Sequence, residues 1–521
     1  MQVEDFLELS ARRYPDKIAL TCGATKRTYQ EIDRQANCLA YTLLAHGVDR
    51  GDRVAVYLDN SVEAVVSIFA ILKAGAVFLT VNPTTKADKL AFVLNNCRAK
   101  ALVMPAAKLP GLQSVVAAVP SLQCVWLAGA AARGEFAPGK PVLPLSPTLE
   151  RSTLPADPPP KKCIDIDLAA LIYTSGSTGQ PKGVMLTHLN IVSAATSITT
   201  YLENTPADRI LNVLPLSFDY GLYQVLMAFK VGASVVLERS FAYPHSLIET
   251  LIRERITGLP IVPTISAILL QLDLAAYRFP DLRYITNTAA ALPTEHIRRL
   301  RQLFPTVKIY SMYGLTECKR VSYLPPEQID VRPTSVGRGM PNEEVYLVDG
   351  EGNRVGPGVV GELVVRGSHV MKGYWELPEE TDRMLKPGLL PGEKVLYTGD
   401  LFRMDHEGYL YFVGRKDDII KTRGEKVSPK EIEDVIYSLA GVAEAAVIGV
   451  PDEVLGEAIH AFVVVRQGVR LTEQEVMRHC AARLENFMVP SAVFFAPELP
   501  KTSNGKIAKK QLAGLRLEQT R

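Results

Sequence analysis

The sequence predicts an α/β fold, with a large N-terminal domain of layered α/β subdomains and a β-rich subdomain, followed by a small α+β C-terminal domain. Short apolar runs alternate with amphipathic helical patterns through most of the chain, which is typical of layers built on largely parallel strands. After about residue 335 the apolar runs become short and are separated by Gly and Asp turns. A chain of 521 residues is also too long for one ordinary core. These observations predict two or more domains.

The layered region contains a strand, a helix and a second strand in direct succession. RVAVYLD (53–59) is a β-type run, SVEAVVSIFAILKAG (61–75) has helical periodicity, and AVFLTVNP (76–83) is a strand that ends at proline. Two further strand-like runs follow, KALVMP (100–105) and CVWLAG (124–129). Because helices separate most of these runs, we expect their strands to be parallel.

The β-rich subdomain and the C-terminal domain are predicted from the change in pattern. Three short β-type runs define the subdomain: EEVYLVD (343–349), GELVVRG (361–367) and GYLYFVG (408–414). A second change follows GRKDDIIKTRGEKVSP (414–429): from there onward the pattern is helix, strand, helix, strand, which is enough for a separate domain. We therefore predict an N-terminal domain of residues 1–414 and a C-terminal domain of residues 415–521. The proline-rich stretch 150–162 is predicted to be a linker or surface loop.

Composition and termini indicate a cytoplasmic protein. The net charge of +2 gives no reason to expect nucleic acid or an anionic membrane as a partner. Seven scattered cysteines without a CxxC pair favour a reducing compartment. The N-terminus has no apolar stretch typical of a signal peptide. The longest apolar run, residues 65–81, is broken by Lys73 and Gly75, so it is predicted as a buried helix and a strand rather than a membrane span.

The segment LIYTSGSTGQPKGVMLTH (171–188) predicts a phosphate-binding loop. A β-type run leads into a stretch in which glycines allow close backbone approach, hydroxyls donate to phosphate oxygens and a lysine adds positive charge. The residues are Thr174, Ser175, Gly176, Ser177, Thr178, Gly179 and Lys182. The GxxxxGK[ST] spacing of a Walker A loop is absent. An ordinary flexible turn is the alternative for an arbitrary Gly-rich loop.

The ten-residue string TSGSTGQPKG resembles the signature loop of the adenylate-forming superfamily, which includes acyl-CoA synthetases, peptide-synthetase adenylation domains and firefly luciferase. The resemblance continues in order along the chain, through TYQEIDRQANCLAYTL (28–43), YGLTE (313–317), GYW (373–375), YTGD (397–400), GRKDDIIKTRGEKVSPKEIE (414–433) and PKTSNGKI (500–507). It implies a large N-terminal domain and a small mobile C-terminal domain. It also implies two steps: a carboxylate attacks ATP to give an acyl-adenylate, and a thiol then displaces AMP.

The resemblance assigns expected roles to individual residues. Thr174 to Lys182 would hold the β- and γ-phosphates of ATP, and Tyr313, next to Gly314, would stack on adenine. Thr316 would contact the α-phosphate and Glu317 would hold Mg²⁺, which is bound by few carboxylates plus substrate phosphates. The remaining assignments are Asp400 for the ribose hydroxyls, Arg415 for ribose or phosphate, and Lys506 as the catalytic lysine of adenylation. A lone Asp or Lys at such positions is ordinarily a turn residue or a solvated charge.

The resemblance also implies a hinge and a thiol path. Asp417 matches the hinge position between the domains, where a large backbone rotation is absorbed. Gly424 and Glu425 would then replace Lys506 near the active site and line the path of the thiol. The alternative for Asp417 is an ordinary acidic turn.

The stretch LPLSFDYGL (214–222) places Asp219 where the family has one wall of the acyl pocket. A buried carboxylate needs a cationic or hydrogen-bonding partner. Three interpretations stay open: Asp219 binds a substrate ammonium, as in amino-acid-activating domains; it pairs with Arg320; or it caps a helix that begins near Tyr220.

Further pocket residues are expected from their position in the family pattern: Tyr220, Tyr223, Thr264, Ile285, Asn287, Met312 and Arg320. Their sizes describe a modest, partly aromatic cavity. The segment TNTAAALP (286–293) has three alanines where the family version is usually Gly-rich.

We expect the chain to be a freestanding ligase. Its combination of motifs is similar to prolyl-carrier-protein ligases and to acyl-CoA ligases encoded with exopolysaccharide or sorting systems. The first hypothesis is activation of an amino or imino acid for the phosphopantetheine of a separate carrier protein. The alternative is an aryl or medium-chain acid–CoA ligase in which Arg320 neutralises Asp219. The expected cofactors are ATP and Mg²⁺, with CoA or phosphopantetheine as thiol acceptor. A luciferase-like oxygenase and a non-catalytic scaffold are less favoured.

Overall fold

A computed structural model of the chain describes residues 1–130, 134–137, 139–150, 154–175, 181–239, 241, 243–274, 277–502 and 507–512. Within these residues the strands form two nine-stranded sheets and two five-stranded sheets. The α-helices are α1 (Asp5–Arg13), α2 (Tyr29–Ala45), α3 (Val62–Lys73), α4 (Ala87–Asn96), α5 (Leu109–Ala117), α6 (Leu145–Leu149), α7 (His188–Tyr201), α8 (Asp219–Val231), α9 (Pro244–Arg253), α10 (Pro263–Leu269), α11 (Thr294–Leu303), α12 (Pro378–Met384), α13 (Pro429–Tyr437) and α14 (Glu473–Ala481).

Sheet I carries the predicted pocket on a run of parallel strands. Its spatial order is β17 (Arg338–Gly339), β16 (Ser322–Tyr323), β15 (Lys308–Tyr313), β14 (Tyr284–Asn287), β13 (Gly258–Ile261), β11 (Arg209–Asn212), β12 (Ser234–Leu237), β1 (Ile18–Cys22) and β2 (Thr25–Thr28). The strands from β15 to β1 pair in parallel, whereas the two outer strands at one edge and β2 at the other are antiparallel. Parallel strands with helical crossovers place all their carboxyl ends at one edge.

Sheet II carries the predicted phosphate loop. Its order is β20 (Gly373–Tyr374), β10 (Pro181–Thr187), β9 (Leu168–Ser175), β4 (Val77–Thr80), β3 (Arg53–Val56), β5 (Ala101–Pro105), β6 (Cys124–Ala128), β8 (Lys140–Pro144) and β7 (Gly134–Ala137). The strands predicted at 53–59, 76–83, 100–105 and 124–129 are present and pair in parallel.

Helices that connect strands of both sheets meet in one apolar core. The ring of Phe229 in α8 lies 5.2 Å from Tyr29 in α2 and 5.3 Å from Phe69 in α3. Helix α3 is almost completely buried, as predicted for the apolar run around residue 65. Ser61 caps α3 by accepting a hydrogen bond from the Ala64 backbone N–H. This shared core connects sheet I with sheet II.

The β-rich region predicted after residue 335 is sheet III. It consists of β18 (Glu343–Val348), β19 (Val360–Gly367), β22 (Lys394–Met404), β21 (Leu385–Pro387) and β23 (Leu410–Arg415). Its pairings are antiparallel. Gly and Asp turns between short runs are the sequence pattern that predicts this arrangement.

The C-terminal region has a sheet and an apolar core of its own. Sheet IV consists of β25 (Glu425–Val427), β24 (Ile420–Thr422), β27 (Gly456–Val465), β26 (Val442–Asp452) and β28 (Ala492–Phe495). Helices α13 and α14 cover it, and their apolar residues form a separate cluster with the sheet. The predicted α/β fold class is confirmed; the domain boundary after residue 414 stays a prediction.

Two findings bear on the surroundings of the protein. In the described part of the chain, no helix is both long and apolar enough to cross a bilayer. All seven cysteines are free thiols.

Candidate active site

The predicted site residues converge on the carboxyl ends of the parallel strands in sheet I. Asn287 ends β14, Tyr313 ends β15, and Asp219 begins α8 shortly after β11. Sheet III approaches the same edge, because Asp400 in β22 contacts Tyr313. Ligands of open α/β sheets bind at this edge.

Asp400 and Tyr313, both predicted to bind the nucleotide, are in direct contact. The Tyr313 hydroxyl donates a 2.6 Å hydrogen bond to Oδ2 of Asp400, and Nε of Arg415 lies 3.3 Å from Oδ1. Burial and the neighbouring Asp400 carboxylate hold the pKa of Tyr313 well above its usual value, so the phenol keeps its proton and donates. The three residues predicted to bind base, ribose and phosphate are therefore one connected group.

A tight turn explains why glycine follows Tyr313. The backbone N–H of Val321 donates to the Tyr313 carbonyl, and that of Lys319 donates to the Leu315 carbonyl. A Cβ on Gly314 would lie 2.0 Å from the Lys319 carbonyl oxygen, so a side chain does not fit there. Lys319 itself has φ +65°, which is uncommon for a residue with a side chain.

Glu317, the predicted magnesium ligand, is held within the same turn. Its Oε1 accepts a 2.7 Å hydrogen bond from the Tyr374 hydroxyl, and its carbonyl accepts one from the Met371 backbone N–H. Burial and Glu317 raise the pKa of Tyr374, so Tyr374 acts as the donor. A single carboxylate fits Mg²⁺, which binds through few carboxylates and completes its shell with phosphates and water.

The phosphate loop connects two antiparallel strands of sheet II. Thr174 in β9 lies opposite Lys182 in β10. Nζ of Lys182 lies 2.5 Å from Oε2 of Glu380 in α12 and 5.6 Å from the centre of the Tyr374 ring. The hydrogen bond from Lys182 lowers the pKa of Glu380, which keeps that carboxylate ionised. The phosphate-loop lysine is therefore paired with a carboxylate in this structure.

Part of the predicted phosphate loop and the predicted catalytic lysine lie outside the described residues. Ser175 lies at the end of β9, and Gly176, Ser177, Thr178 and Gly179 of the loop lie outside the described residues, as does Lys506. Thr316 lies in the turn beside Glu317 and is half-buried.

The hinge and thiol-path residues are all exposed. Asp417 occupies a turn between β23 of sheet III and β24 of sheet IV, where the backbone leaves one sheet for the other. Gly424, with φ +82°, lies in the turn of the hairpin between β24 and β25, and Glu425 is the first residue of β25. Their predicted roles remain predictions.

The first turn of α8 explains part of the role of Asp219. Asp219 is the first residue of the helix, and its Oδ1 accepts a 2.9 Å hydrogen bond from the Tyr220 backbone N–H. The N-cap residue of α8 is Phe218, not Asp219. The capping interpretation is therefore correct only in the sense that the Asp219 carboxylate accepts a hydrogen bond from a backbone N–H of the first helical turn, which has no acceptor within the helix.

The ion-pair partner of Asp219 is Lys319 rather than Arg320. Nζ of Lys319 lies 3.7 Å from Oδ2 of Asp219, and both side chains are buried. Burial lowers the pKa of Lys319, and the charges of Asp219 and Glu317 oppose that effect. The predicted Asp219–Arg320 pair is thus wrong, and the neighbouring residue takes its place.

Arg320 packs on an aromatic ring instead. Its Cζ lies 4.5 Å from the centre of the Tyr220 ring, which is close enough for a cation–π interaction. The Tyr220 hydroxyl donates a 2.8 Å hydrogen bond to the Thr286 carbonyl and lies at hydrogen-bond distance, 2.6 Å, from the Thr286 hydroxyl. Burial raises the pKa of Tyr220 to about 12, although the charge of Arg320 opposes it. Helix α8 is thereby anchored to β14.

The other predicted pocket residues are tightly enclosed. Tyr223, Asn287, Met312 and Ile285 are buried, whereas Thr264 at the start of α10 is half-buried. The amide of Asn287 donates to the Ala290 carbonyl, and the Met312 sulfur accepts a 3.0 Å hydrogen bond from the Tyr201 hydroxyl.

The alanine-rich segment has a strained backbone at the pocket. Ala289 has φ +76°, a conformation that glycine adopts without strain. Alanine therefore stands in this chain where the conformation itself favours glycine.

Sequence reasoning missed three residues of the site. Lys319 lies two residues after Glu317 but has no place in the motifs. Tyr374 is part of the GYW motif without an expected role, and Glu380 belongs to no motif at all. The sequence signal for Lys319 is a lysine within a stretch that is otherwise expected to be buried. The contacts of Tyr374 and Glu380 join segments that are distant in sequence.

Comparison with known proteins gives consistent results. The family profile described as AMP-binding enzyme matches residues 7–375, and the profile described as AMP-binding enzyme C-terminal domain matches residues 431–506. The chain is 31% identical to a long-chain-fatty-acid–CoA ligase of Bacillus subtilis (strain 168), over 98% of this chain and 94% of that protein. It is also 30% identical to one of the subunits of the linear gramicidin synthase of Brevibacillus parabrevis, over 98% of this chain and 10% of that protein.

Solved structures of similar proteins cover nearly the whole chain. The anthranilate CoA ligase AuaEII in complex with anthranoyl-AMP has a TM-score of 0.91 and 27% identity, covering 100% of this chain and 98% of that one. The o-succinylbenzoate coenzyme A synthetase MenE of Bacillus subtilis, in complex with ATP and magnesium, has a TM-score of 0.83 and 26% identity, covering 98% and 99%.

Proposed function

This chain belongs to the AMP-binding enzyme family, and from that premise we propose that it is an AMP-forming ligase that joins a small, polar carboxylic acid to coenzyme A. ATP-dependent formation of an acyl-adenylate and an acid–thiol ligase activity are its general chemistry. The size and polarity of the acid and the identity of the thiol are the parts that we propose. A cytoplasmic location is proposed as well, supported by the seven free thiols.

In the first step, an oxygen of the acid's carboxylate forms a bond to the α-phosphorus of ATP. The bond from that phosphorus to the bridging oxygen breaks, and pyrophosphate leaves with the electron pair. In this proposal Asp400 and Tyr313 hold the nucleoside, and Lys182 neutralises the leaving phosphates once it is released from Glu380. Glu317, oriented by Tyr374, would hold Mg²⁺, which supplies further neutralisation of phosphate charge.

In the second step, the sulfur of the thiol forms a bond to the acyl carbon. The bond from that carbon to the phosphate oxygen breaks, AMP leaves, and the thiol proton passes to solvent. We propose that the hairpin of Gly424 and Glu425 lines the path of the thiol, after rotation about Asp417. The exposure of all three residues is compatible with such a movement.

The observation that carries the choice of substrate is the ion pair between Asp219 and Lys319. A free buried carboxylate would attract a substrate ammonium, but here a lysine of the same chain already neutralises it. The close packing of the surrounding tyrosines favours a small acid over a long aliphatic chain. Neutralisation of Asp219 within the chain is the condition that favours an acid–CoA ligase over an amino-acid ligase.

A second candidate is an amino-acid ligase that loads the phosphopantetheine of a carrier protein. The observation in its favour is the position of Asp219, which begins α8 and keeps 7% of its surface exposed. The similarity to part of a linear gramicidin synthase supports the same candidate. At 3.7 Å the contact with Lys319 is longer than a hydrogen bond, so an ammonium could replace it.

The test is ATP–pyrophosphate exchange with pairs of acids that differ only in an amino nitrogen: anthranilate and benzoate, proline and cyclopentanecarboxylate, alanine and propionate. The proposal expects the nitrogen-free member of each pair to support exchange at least as well as its amino partner, and thioester formation when free CoA is added. Exchange confined to the nitrogen-bearing members, with transfer to a phosphopantetheinylated carrier protein but not to CoA, would overturn it in favour of the second candidate.

A further inference from the structure

The acyl pocket contains an unusual set of polar atoms. Among the described residues, six buried side-chain atoms at or beside this pocket have no hydrogen-bond partner: Ser217 Oγ, Tyr223 OH, Asn287 Oδ1, Thr288 Oγ1, Lys319 Nζ and Arg320 Nε. Buried polar atoms in native proteins are rarely left without partners, because their desolvation is then uncompensated. Several such atoms around one predicted pocket indicate a polar ligand that they receive.

Donors and positive charge predominate in this set. An ammonium group carries three N–H donors and a guanidinium carries five, and neither accepts hydrogen bonds. The Nζ of Lys319 lies 3.7 Å from the carboxylate of Asp219 and 5.2 Å from the centre of the Tyr223 ring. Asp219 faces two cations, Lys319 and Arg320. Glu317, two residues before Lys319, is a second carboxylate in this region and accepts a hydrogen bond from Tyr374 on one of its oxygens.

We infer that the acid carries a second carboxylate on its acyl chain and that Lys319, with Arg320 beside it, binds that group. This inference rests on the proposed ligase function and names its substrate class as dicarboxylic acids. A carboxylate offers about four acceptor sites for the unpaired donors and is attracted by both cations. An ammonium in the same place would lie close to two cations, and a plain hydrocarbon would leave the donors buried and unpaired.

The arrangement also explains why the cations remain in place without the substrate. Asp219 holds the ammonium of Lys319 by charge, and Oδ1 of Asp219 is fixed by the Tyr220 backbone N–H. The ring of Tyr220 supports Arg320 in the same way. Because the 3.7 Å contact is not a hydrogen bond, the donors of Lys319 stay available for a substrate oxygen.

The test compares ATP–pyrophosphate exchange for acids of equal carbon number: succinate with butyrate, glutarate with valerate, and adipate with hexanoate. For the wild-type protein we expect kcat/KM to favour a dicarboxylate by about 100-fold or more, since a site that pairs with a polar group rejects analogues without it. In Lys319→Met the preference for the dicarboxylate should fall by about tenfold or more. Lys319→Arg should restore part of the preference.

The matched control is Lys308→Met, which removes a lysine from the strand that leads into the same turn. Lys308 pairs with Glu203 at 2.7 Å at the protein surface, and its removal should leave the preference unchanged. Equal or better exchange with monocarboxylates in the wild type would overturn the inference while the ligase function stands. A preference for amino acids would also overturn it. Absence of exchange and of CoA thioester with every acid would overturn the ligase proposal itself, and the inference with it.

Discussion

The Tyr374 hydroxyl donates a 2.7 Å hydrogen bond to Oε1 of Glu317, which joins a two-residue edge strand of sheet II to the turn that follows β15. The two residues are far apart in sequence and belong to two different motifs, GYW and YGLTE. Since a carboxylate has two oxygens, a donor on one of them fixes the direction of the other. This contact makes Tyr374 a positioning residue for the proposed magnesium ligand.

Tyr374→Phe should therefore weaken magnesium binding more than it affects the chemical step. Loss of a partner that orients a metal ligand typically costs about 10–100-fold in metal affinity. We expect the Mg²⁺ concentration for half-maximal pyrophosphate exchange to rise about tenfold or more, with kcat at saturating Mg²⁺ largely retained. The measurement is a Mg²⁺ titration at fixed ATP.

Tyr411→Phe provides the matched control, because Tyr411 donates a 3.0 Å hydrogen bond to the carboxylate of Asp405 away from the site. Its Mg²⁺ dependence should equal that of the wild type. If Tyr374→Phe also left the Mg²⁺ dependence unchanged, the hydrogen bond to Glu317 would have no role in positioning the metal.

Glu380→Gln should improve ATP binding. In this structure Glu380 pairs with Lys182, so the phosphates of ATP compete with a carboxylate for the lysine. Both side chains are partly exposed, and such an ion pair contributes about 0.5–1 kcal/mol. We expect KM for ATP to fall about two- to fivefold, as measured by pyrophosphate exchange over a range of ATP concentrations.

Asp382→Asn on the same helix is the control for Glu380, because it removes a surface ion pair with Lys394 and leaves Lys182 untouched. Its KM for ATP should not change. An increase in KM for Glu380→Gln would mean that Glu380 orients Lys182 for the phosphates rather than competing with them.

Asp400→Asn should weaken nucleotide binding. The Asp400 carboxylate accepts a 2.6 Å hydrogen bond from the Tyr313 hydroxyl and contacts Arg415. Hydrogen bonds to charged groups contribute about 1.5–3 kcal/mol each. We expect KM for ATP to rise about tenfold or more. Asp405→Asn is a close control, since Asp405 likewise contacts a tyrosine hydroxyl and an arginine, Tyr411 and Arg332. An unchanged KM in Asp400→Asn would exclude Asp400 from ATP binding.

Local patterns were sufficient to predict the regular elements. Alternation and periodicity predicted β3, α3 and β4 to within a few residues, because burial against neighbouring layers depends on the period of the apolar residues. The β-rich sheet III followed from turn residues between short runs. Where local propensity and burial agree, a single sequence is enough to predict a helix or a strand.

The contacts among the predicted acyl-pocket residues could be inferred from the sequence only in part. Position in the motif placed Asp219 and Arg320 near each other, but the turn before Arg320 contains Lys319 at φ +65°. A positive φ changes the direction of successive side chains, so Lys319 rather than Arg320 reaches Asp219. The pairs Tyr374–Glu317 and Lys182–Glu380 join distant segments, and no local pattern encodes such contacts.

Buried histidines should make the protein less stable in acid, and His296 is the clearest case. It is 6% exposed, shares a 2.9 Å hydrogen bond with the Ser266 hydroxyl, and packs edge-on against Tyr437 of α13. Burial, and then the charges of Arg299 and Arg466, lower its pKa from 6.5 to about 4, while Glu295 opposes them. Below pH 6.5 the unfolded chain therefore takes up a proton that the folded protein does not.

The free energy of unfolding should accordingly fall as the pH decreases from 6.5 to about 4, and this contribution should level off below that pH. One such histidine contributes a slope of at most about 1.4 kcal/mol per pH unit.

His296→Asn should remove that slope, measured as the difference in urea unfolding between variant and wild type at several pH values. Because His188, His369, Glu4 and Glu343 titrate in both proteins, their effects cancel in the difference. His406→Asn, in an exposed turn, should leave the pH dependence as it is. If the free energy of unfolding of His296→Asn depended on pH as steeply as that of the wild type, the buried imidazole would take up its proton in the folded state as readily as in the unfolded one.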